Sequence, residues 1–555
     1  MLTLEGLSTS KGIAMGRLLV LESGKEYEAG QTVEDTDAEL ARALDAIETA
    51  KDQLRELYDK ALVEVGEEAA AIFDIHVMML EDEDYLDSIR SFIEGESQSA
   101  EYSVYATGKQ LADMFIATGD PYMQERAADL RDLTHRVTQI LSGRGDEQLT
   151  GMSEPIVVAA EELLPSQTVQ MDKKFVLAFL SNKGSRNSHA SILARSLNIP
   201  AITSLGNGFR ELTTGDFCIV DGLDGFVILS PDADTIKEYE RKIAELNEEK
   251  QRLLSFVSES TETLDGVRIE LCANIGRPDE ATNAKEQGAE GVGLFRSEFL
   301  YLESHDFPTE EQQFVAYKQA LEVMQPHRVV VRTLDLGADK QAPYFNLSDE
   351  DNPALGYRAI RICLDRMDIF IPQLRALLRA STYGRLAVMF PMITGVEELR
   401  EIRRIVAATK DDLDKEGIPY AKDVEMGIMI ETPASVVIAD QLAKEADFFS
   451  IGTNDLTQYT FAADRMNPKV GRLFDPGSLA ILRMIRHVAD VAHKNGIWVG
   501  ICGESAADIS LLPYYIGMGI DELSVSVPEV LRVRAAVRAL KKADCESACE
   551  VFFGN

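Results

Sequence analysis

Between Leu264 and Ser526 the chain repeats one unit eight times: a short apolar run, a polar or glycine-bearing loop, then a helical stretch. The runs are 267–273 (VRIELCA), 291–295 (GVGLF), 328–334 (RVVVRTL), 386–390 (LAVMF), 426–430 (MGIMI), 448–451 (FFSI), 497–501 (IWVGI) and 522–525 (ELSV). Runs this short and this continuously apolar are buried on both faces, and helical stretches such as LRALLRAS lie between them. They are therefore expected to pair in parallel through crossover helices. Eight such units predict a (β/α)8 barrel over residues 261–555. That fold assembles its chemistry at the C-terminal ends of the strands, so the residues at the end of each run are the first candidates for function.

Those positions are chemically dense. Arg296 comes after the second run, Arg332 lies in the third, Glu431 after the fifth, Asn454 and Asp455 after the sixth, and Cys502 after the seventh. Arg358 and Arg465 are on loops expected at the same face. Planar guanidinium forks suit bidentate recognition of phosphate or carboxylate, which implies a compact, highly anionic substrate. Glu431 and Asp455 offer only oxygen, and no thiolate or imidazole adjoins them, so the pair points to Mg²⁺ or Mn²⁺ and away from zinc. Cys502, at a strand end in VGICGESA, is read as a proton-transfer group. Cys218, Cys272 and Cys363 sit in or beside apolar runs and read as core filler. Cys545 and Cys549 are expected near an exposed C-terminus and receive no role. With no C-x-x-C and no Cys/His cluster, neither disulfides nor structural zinc are expected.

The N-terminal half has a different texture. Residues 31–141 read as long helices, with Leu40, Leu44, Ile47, Leu54, Leu57 and Leu62 at helical spacing in one of them. Residues 31–100 carry 20 acidic and 5 basic side chains, a surplus that suggests a docking surface for a basic partner. On either side lie short β-rich runs, 12–21 and 155–230, consistent with one α/β domain interrupted by the helical insertion. A charged, proline-free stretch with Ile236, Tyr239, Ile243, Leu246, Leu253 and Val257 at helical spacing predicts a single linker helix over 231–260. The whole chain has a formal charge of −37, which argues against nucleic acid or an anionic membrane as partner. There is no secretory leader and no apolar run of membrane-spanning length, so a soluble cytoplasmic protein is expected.

One further site is suggested within SNKGSRNSHASILARSLNIPA. A glycine-containing loop, Gly184 to Ser188, delivers His189 to the start of an amphipathic helix. There the helix dipole favours a neutral, nucleophilic ring, and the free N–H groups favour an attached phosphoryl group. His189 is thus a candidate phosphohistidine. His76 is noted only because it lies inside the acidic helical block.

Taken together, DFFSIGTNDLTQYTFAADR (447–465), GAEGVGLFRSEFLYL (288–302), VVVRTLDLGADK (329–340), NPALGYRAIR (352–361), GIMIETPASV (427–436) and VGICGESA (499–506) resemble the Enzyme I family of the bacterial phosphoenolpyruvate:sugar phosphotransferase system. The resemblance runs the length of the chain. It implies that His189 takes a phosphoryl group from phosphoenolpyruvate and passes it to a histidine of the phosphocarrier HPr, the first step of sugar uptake. By matched position, Arg296, Arg332, Asn454, Asp455 and Arg465 would contact phosphoenolpyruvate, with Lys340 and Arg358 as further basic groups of the pocket. Glu431 and Asp455 would hold Mg²⁺, and Cys502 would protonate the enolate to pyruvate. The implied division is a phosphohistidine α/β domain (1–22 and 145–230), an HPr-docking helical domain (23–144), a linker helix (231–260) and a phosphoenolpyruvate-binding, dimerising barrel (261–555). The segment 67–85 resembles the family's HPr-docking helices. One departure is visible: where the family has G-G-x-T-S-H, this chain has Gly184, Ser185, Arg186, Asn187, Ser188 and His189, which predicts an altered rate. A dikinase or phosphoenolpyruvate synthase would need an ATP-binding domain for which no stretch remains. The nitrogen-type enzymes would need a further sensory domain. A non-catalytic phosphoenolpyruvate sensor would have no use for His189 and Cys502.

Overall fold

The computed structural model describes every residue except 22–26, 31, 65–66, 119–120, 144–153, 185–187, 198, 303, 305, 338–341, 349, 468 and 555. The chain divides into two compact units, Met1–Asn247 and Glu248–Asn555.

In the first unit an eight-stranded sheet is built from β1 (Leu2–Glu5), β2 (Leu7–Ser10), β3 (Ile13–Val20), β4 (Ile156–Ala160), β5 (Val176–Ser181), β6 (Ala201–Thr203), β7 (Phe217–Asp221) and β8 (Phe226–Leu229), in the order β1-β8-β7-β3-β4-β5-β6-β2. Strands β3 to β6 pair in parallel, and the outer pairs are antiparallel. Between β3 and β4 the chain forms α1 (Thr36–Glu64), α2 (Glu67–Leu80), α3 (Glu83–Arg90), α4 (Ala100–Ala117) and α5 (Pro121–Leu141). Local chemistry sets some of their ends: the Asp82 carboxylate accepts from Asp84 and Tyr85 N–H, and Ser99 Oγ from Tyr102 N–H. Helix α1 buries Ile47, Leu54 and Leu57, but Leu44 and Leu62 of the expected stripe are exposed. Ala43, Ala46, Ala50 and Ala61 are buried in their stead, so α1 presents an alanine-rich face to neighbouring helices. Helix α6 (His189–Leu197) follows β5.

Helix α7 (Ala233–Leu254) carries the chain from the first unit into the second. Of its apolar stripe only Tyr239 is buried, against Ile219 and Ile228, with its hydroxyl donating to Asp221 at 3.0 Å.

The second unit is a closed parallel barrel of β9 (Glu270–Ile275), β10 (Val292–Arg296), β11 (Arg328–Arg332), β12 (Arg385–Phe390), β13 (Glu425–Ile430), β14 (Phe448–Ile451), β15 (Trp498–Ile501) and β16 (Glu522–Ser526). Its helices include α8 (Glu310–Met324), α9 (Met367–Ala380), α10 (Val396–Glu416), α11 (Thr453–Phe461), α12 (Leu479–Lys494), α13 (Leu512–Gly517), α14 (Val530–Arg538) and α15 (Lys542–Gly554). The eight predicted runs are the eight strands. Inside the barrel Leu294, Val330, Ala387, Met389, Met429, Phe448 and Cys502 pack together. Gly427 is needed there, because a Cβ would sit 2.4 Å from the Phe448 ring. Phe448 in turn stacks on Trp498 at 4.3 Å, and the Arg328 guanidinium lies 3.8 Å over Trp498, closing the N-terminal end.

All six thiols are free and buried. This corrects the expectation of an exposed C-terminal pair: Cys545 and Cys549 lie on the inner face of α15, where Gly517 of α13 approaches so closely that a Cβ would meet Cys549 Sγ at 2.6 Å. No helix among the described residues is long and apolar enough to cross a membrane.

Candidate active site

The C-terminal strand ends enclose a cavity of about 1090 Å³ lined by Arg296, Arg332, Arg358, Glu431, Asn454, Asp455, Arg465 and Cys502. Residues scattered over more than two hundred positions thus share one wall because each ends or follows a barrel strand. Lys340 lies outside the described residues. His189 is the first residue of α6 in the other unit. The loop residues Ser185, Arg186 and Asn187 also lie outside the described residues.

The arginines fall into two kinds. Arg332 and Arg358 are 7% and 4% exposed. Arg332 donates to Glu298 Oε1 at 2.5 Å and pairs with Asp335 Oδ2 at 2.7 Å. Arg358 donates to Asp335 Oδ1 at 2.8 Å, and Asp455 Oδ2 is 3.7 Å away. Burial opposes the charge of both, yet the adjoining carboxylates, Asp335 foremost, hold their pKa values above the ordinary range. Arg296 lies with its guanidinium 4.7 Å from the Phe299 ring, and Arg465 is exposed on the loop after α11. Neither makes an ion pair among the described residues.

Glu431, 1% exposed, accepts Met392 N–H at 2.6 Å. Met392 takes φ 57°, an uncommon backbone setting for a residue with a side chain, next to this contact. Burial, then Asp455 and Asp335, push the Glu431 carboxyl up to about 8. Two converging carboxylates under that strain are what a hard dication relieves, with further oxygen ligands left to substrate and water. The donor set therefore fits such an ion. Gly452 permits the approach, since a Cβ there would lie 3.0 Å from Glu431 Cβ.

Asn454 donates to Glu504 Oε1 and accepts from Glu504 N–H, both at 3.2 Å, linking the first turn of α11 to the loop after β15. Cys502 is 4% exposed; burial pushes its thiol up to about 12, so it remains protonated at neutral pH. Its carbonyl accepts from Asn274 Nδ2 at 3.1 Å. Asn274, Glu298, Asp335, Tyr459 and Glu504 were not singled out from the sequence. Glu298 and Asp335 had a usable signal, standing two and three residues after a strand-end arginine.

Three domain families match the chain in order: PEP-utilising enzyme, N-terminal, over residues 5–126; PEP-utilising enzyme, mobile domain, over 152–225; and PEP-utilising enzyme, PEP-binding domain, over 250–542. The last contains every cavity residue named above. At full length the chain is 46% identical over 542 residues to the phosphoenolpyruvate-protein phosphotransferase of Geobacillus stearothermophilus, covering 98% of this chain and 94% of the relative. The protein of the same name from Bacillus subtilis (strain 168) is 45% identical over 544 residues, covering 98% and 95%. That from Staphylococcus aureus (strain MSSA476) is 43% identical over 540 residues, covering 97% and 94%. The chain belongs to the phosphoenolpyruvate-protein phosphotransferase family.

Proposed function

We propose that this enzyme transfers the phosphoryl group of phosphoenolpyruvate to its own His189 and then to a histidine of the phosphocarrier HPr, releasing pyruvate as the first step of sugar uptake. The observation that carries the reading is a barrel cavity in which arginines, paired carboxylates and a protonated thiol meet, in a chain of this family. Arg296, Arg332, Asn454 and Arg465 bind the substrate's anionic groups, with Lys340 and Arg358 as further donors. Glu431 and Asp455 would hold Mg²⁺, which would supply positive charge to neutralise those groups. As the P–O bond breaks and the bond to His189 forms, the electron pair passes into an enolate, and the Cys502 thiol gives its proton to the methylene carbon. Pyruvate leaves, and the thiolate regains a proton from water.

In the same reading, residues 1–22 and 145–230 are the phosphohistidine domain, 23–144 the HPr-docking insertion, 231–260 the linker, and 261–555 the substrate-binding barrel through which the protein dimerises. The location is cytoplasmic. The test is intact-mass analysis after treatment with phosphoenolpyruvate and Mg²⁺. One phosphoryl group is expected on the wild type, none on His189→Ala, and its loss on adding HPr. Phosphate retained by the Ala variant removes the assignment.

A further inference from the structure

The barrel cavity holds more acid than an anion-binding site needs. Asp335 and Glu298, 2% and 1% exposed, are absent from the proposed ligand set, yet both are bonded to guanidinium groups. Asp335 serves two arginines from different segments, Arg332 at the end of β11 and Arg358 on a later loop, with Oδ2 2.7 Å from Arg332 Nη1 and Oδ1 2.8 Å from Arg358 Nη2. The same two stretches are also joined through the backbone, where Ala359 N–H donates to Leu336 O at 2.8 Å. The loop bearing Asp335 is itself fixed, since Thr333 N–H donates to Met389 O at 2.9 Å and Leu334 N–H to Gln373 Oε1 at 3.0 Å. The remaining terminal nitrogens are occupied too: Arg332 Nη2 by Glu298, and Arg358 Nη1 by the Tyr459 hydroxyl at 3.4 Å.

An arginine side chain is costly to order, and here that cost falls on folding and not on binding. Arg296 and Arg465, by contrast, make no ion pair among the described residues. We propose that Asp335 is a positioning residue for the phosphotransfer reaction, locking Arg332 and Arg358 into one rigid donor pair before substrate arrives. The proposal rests on the functional reading above. It differs in sign from simple charge balance. An acid that only neutralises buried arginines opposes an anionic substrate, so removing its charge strengthens binding and leaves turnover intact. An acid that fixes donor geometry acts on the transition state, so removing it lowers kcat more than it alters KM.

The experiment uses the full chain with Mg²⁺, phosphoenolpyruvate and HPr. Asp335→Asn can accept from only one of the two arginines. Its kcat is expected to fall roughly 10–100-fold, the scale of a small misplacement of binding groups, with KM unchanged or lower. Asp335→Glu keeps the charge but lengthens the arm, and the same fall in kcat is expected. Thermal melting of each variant identifies the folded fraction to which kcat refers. A folded variant with kcat within about twofold of wild type overturns the proposal, as does a raised KM with kcat intact. If Asp335→Asn does not fold, Asp335→Glu decides alone. A wild-type chain that transfers nothing would instead sink the functional reading, which this control separates from the role of Asp335.

Discussion

Gly503 follows Cys502 and has φ −76° and ψ 167°, a setting open to any residue, so only space explains a glycine there. An added Cβ would lie 2.0 Å from Thr453 Oγ1 and 2.7 Å from Thr453 N. The hydroxyl can rotate away, at the cost of the 2.8 Å hydrogen bond it accepts from Ser505. The backbone nitrogen cannot, and it is about 0.7 Å short of ordinary contact distance, so either the loop 502–504 or the first turn of α11 must move by that much. The first carries Cys502 and the second carries Asn454 and Asp455, and Asn454 is tied to Glu504 across the gap. Gly503→Ala is therefore expected to cost about 1–3 kcal/mol of stability, as overpacking does, and to lower kcat for pyruvate release roughly 10–100-fold. Gly417→Ala is the control. Exposed at the end of α10 with φ 69° and nothing within 4 Å of a Cβ, Gly417 should cost about 1–2 kcal/mol on substitution through backbone strain, with kcat unchanged. A folded Gly503→Ala protein with wild-type kcat would refute the steric coupling.

Cys502→Ala should slow pyruvate formation by about 10²–10⁴-fold while leaving phosphoenolpyruvate binding nearly intact; near-normal turnover would return this thiol to the packed core. Burial, with help from Asp216, pushes the Cys218 thiol up to about 12, so the stability it contributes is present below the ordinary thiol pKa of about 9 and is lost as pH rises toward 12. Melting of Cys218→Ala should accordingly decline less steeply than wild type between those limits, by up to about 1.4 kcal/mol per pH unit; parallel curves would contradict this. Arg534 is fully buried and donates to Thr261 Oγ1 at 2.9 Å, to the carbonyls of Phe256 and Val257 at 3.0 and 3.1 Å, and to that of Gly288. It ties the turns after α7 to α14, and Arg534→Met should lower barrel stability by about 3 kcal/mol, checked by calorimetry, where an unshifted barrel transition would count against it.

The barrel was legible because parallel strands buried on both faces must be continuously apolar, and nothing else in this chain repeats that pattern eight times. Strand ends were less visible. The run 328–334 leaves the ladder at Arg332, because Leu334 N–H donates to the side chain of Gln373, a partner no local pattern announces. The C-terminal cysteines were misplaced for a related reason. Proximity to the chain end suggested exposure, whereas their i, i+4 spacing already put both on one helix face, and Gly517 shows that a partner helix presses on that face.

In the site, the residue types that could be read singly were read: guanidinium groups at strand ends, two carboxylates and a thiol. Their acidic partners were harder to read: in a chain with 93 acidic residues, only the places of Glu298 and Asp335, two and three residues after a strand-end arginine, set them apart. Yet the acids change what the cavity can do. Its described lining carries four guanidinium groups against seven carboxylates, those of Glu298, Asp335, Asp351, Glu431, Asp455, Asp464 and Glu504. Such a pocket cannot gather a polyanion by net charge. Affinity has to come from where the donors are held, with the Glu431 and Asp455 pair suited to a dication that restores the balance. Two arginines locked by Asp335 and two without an ion pair among the described residues are an arrangement, not a composition, and only burial and register reveal it.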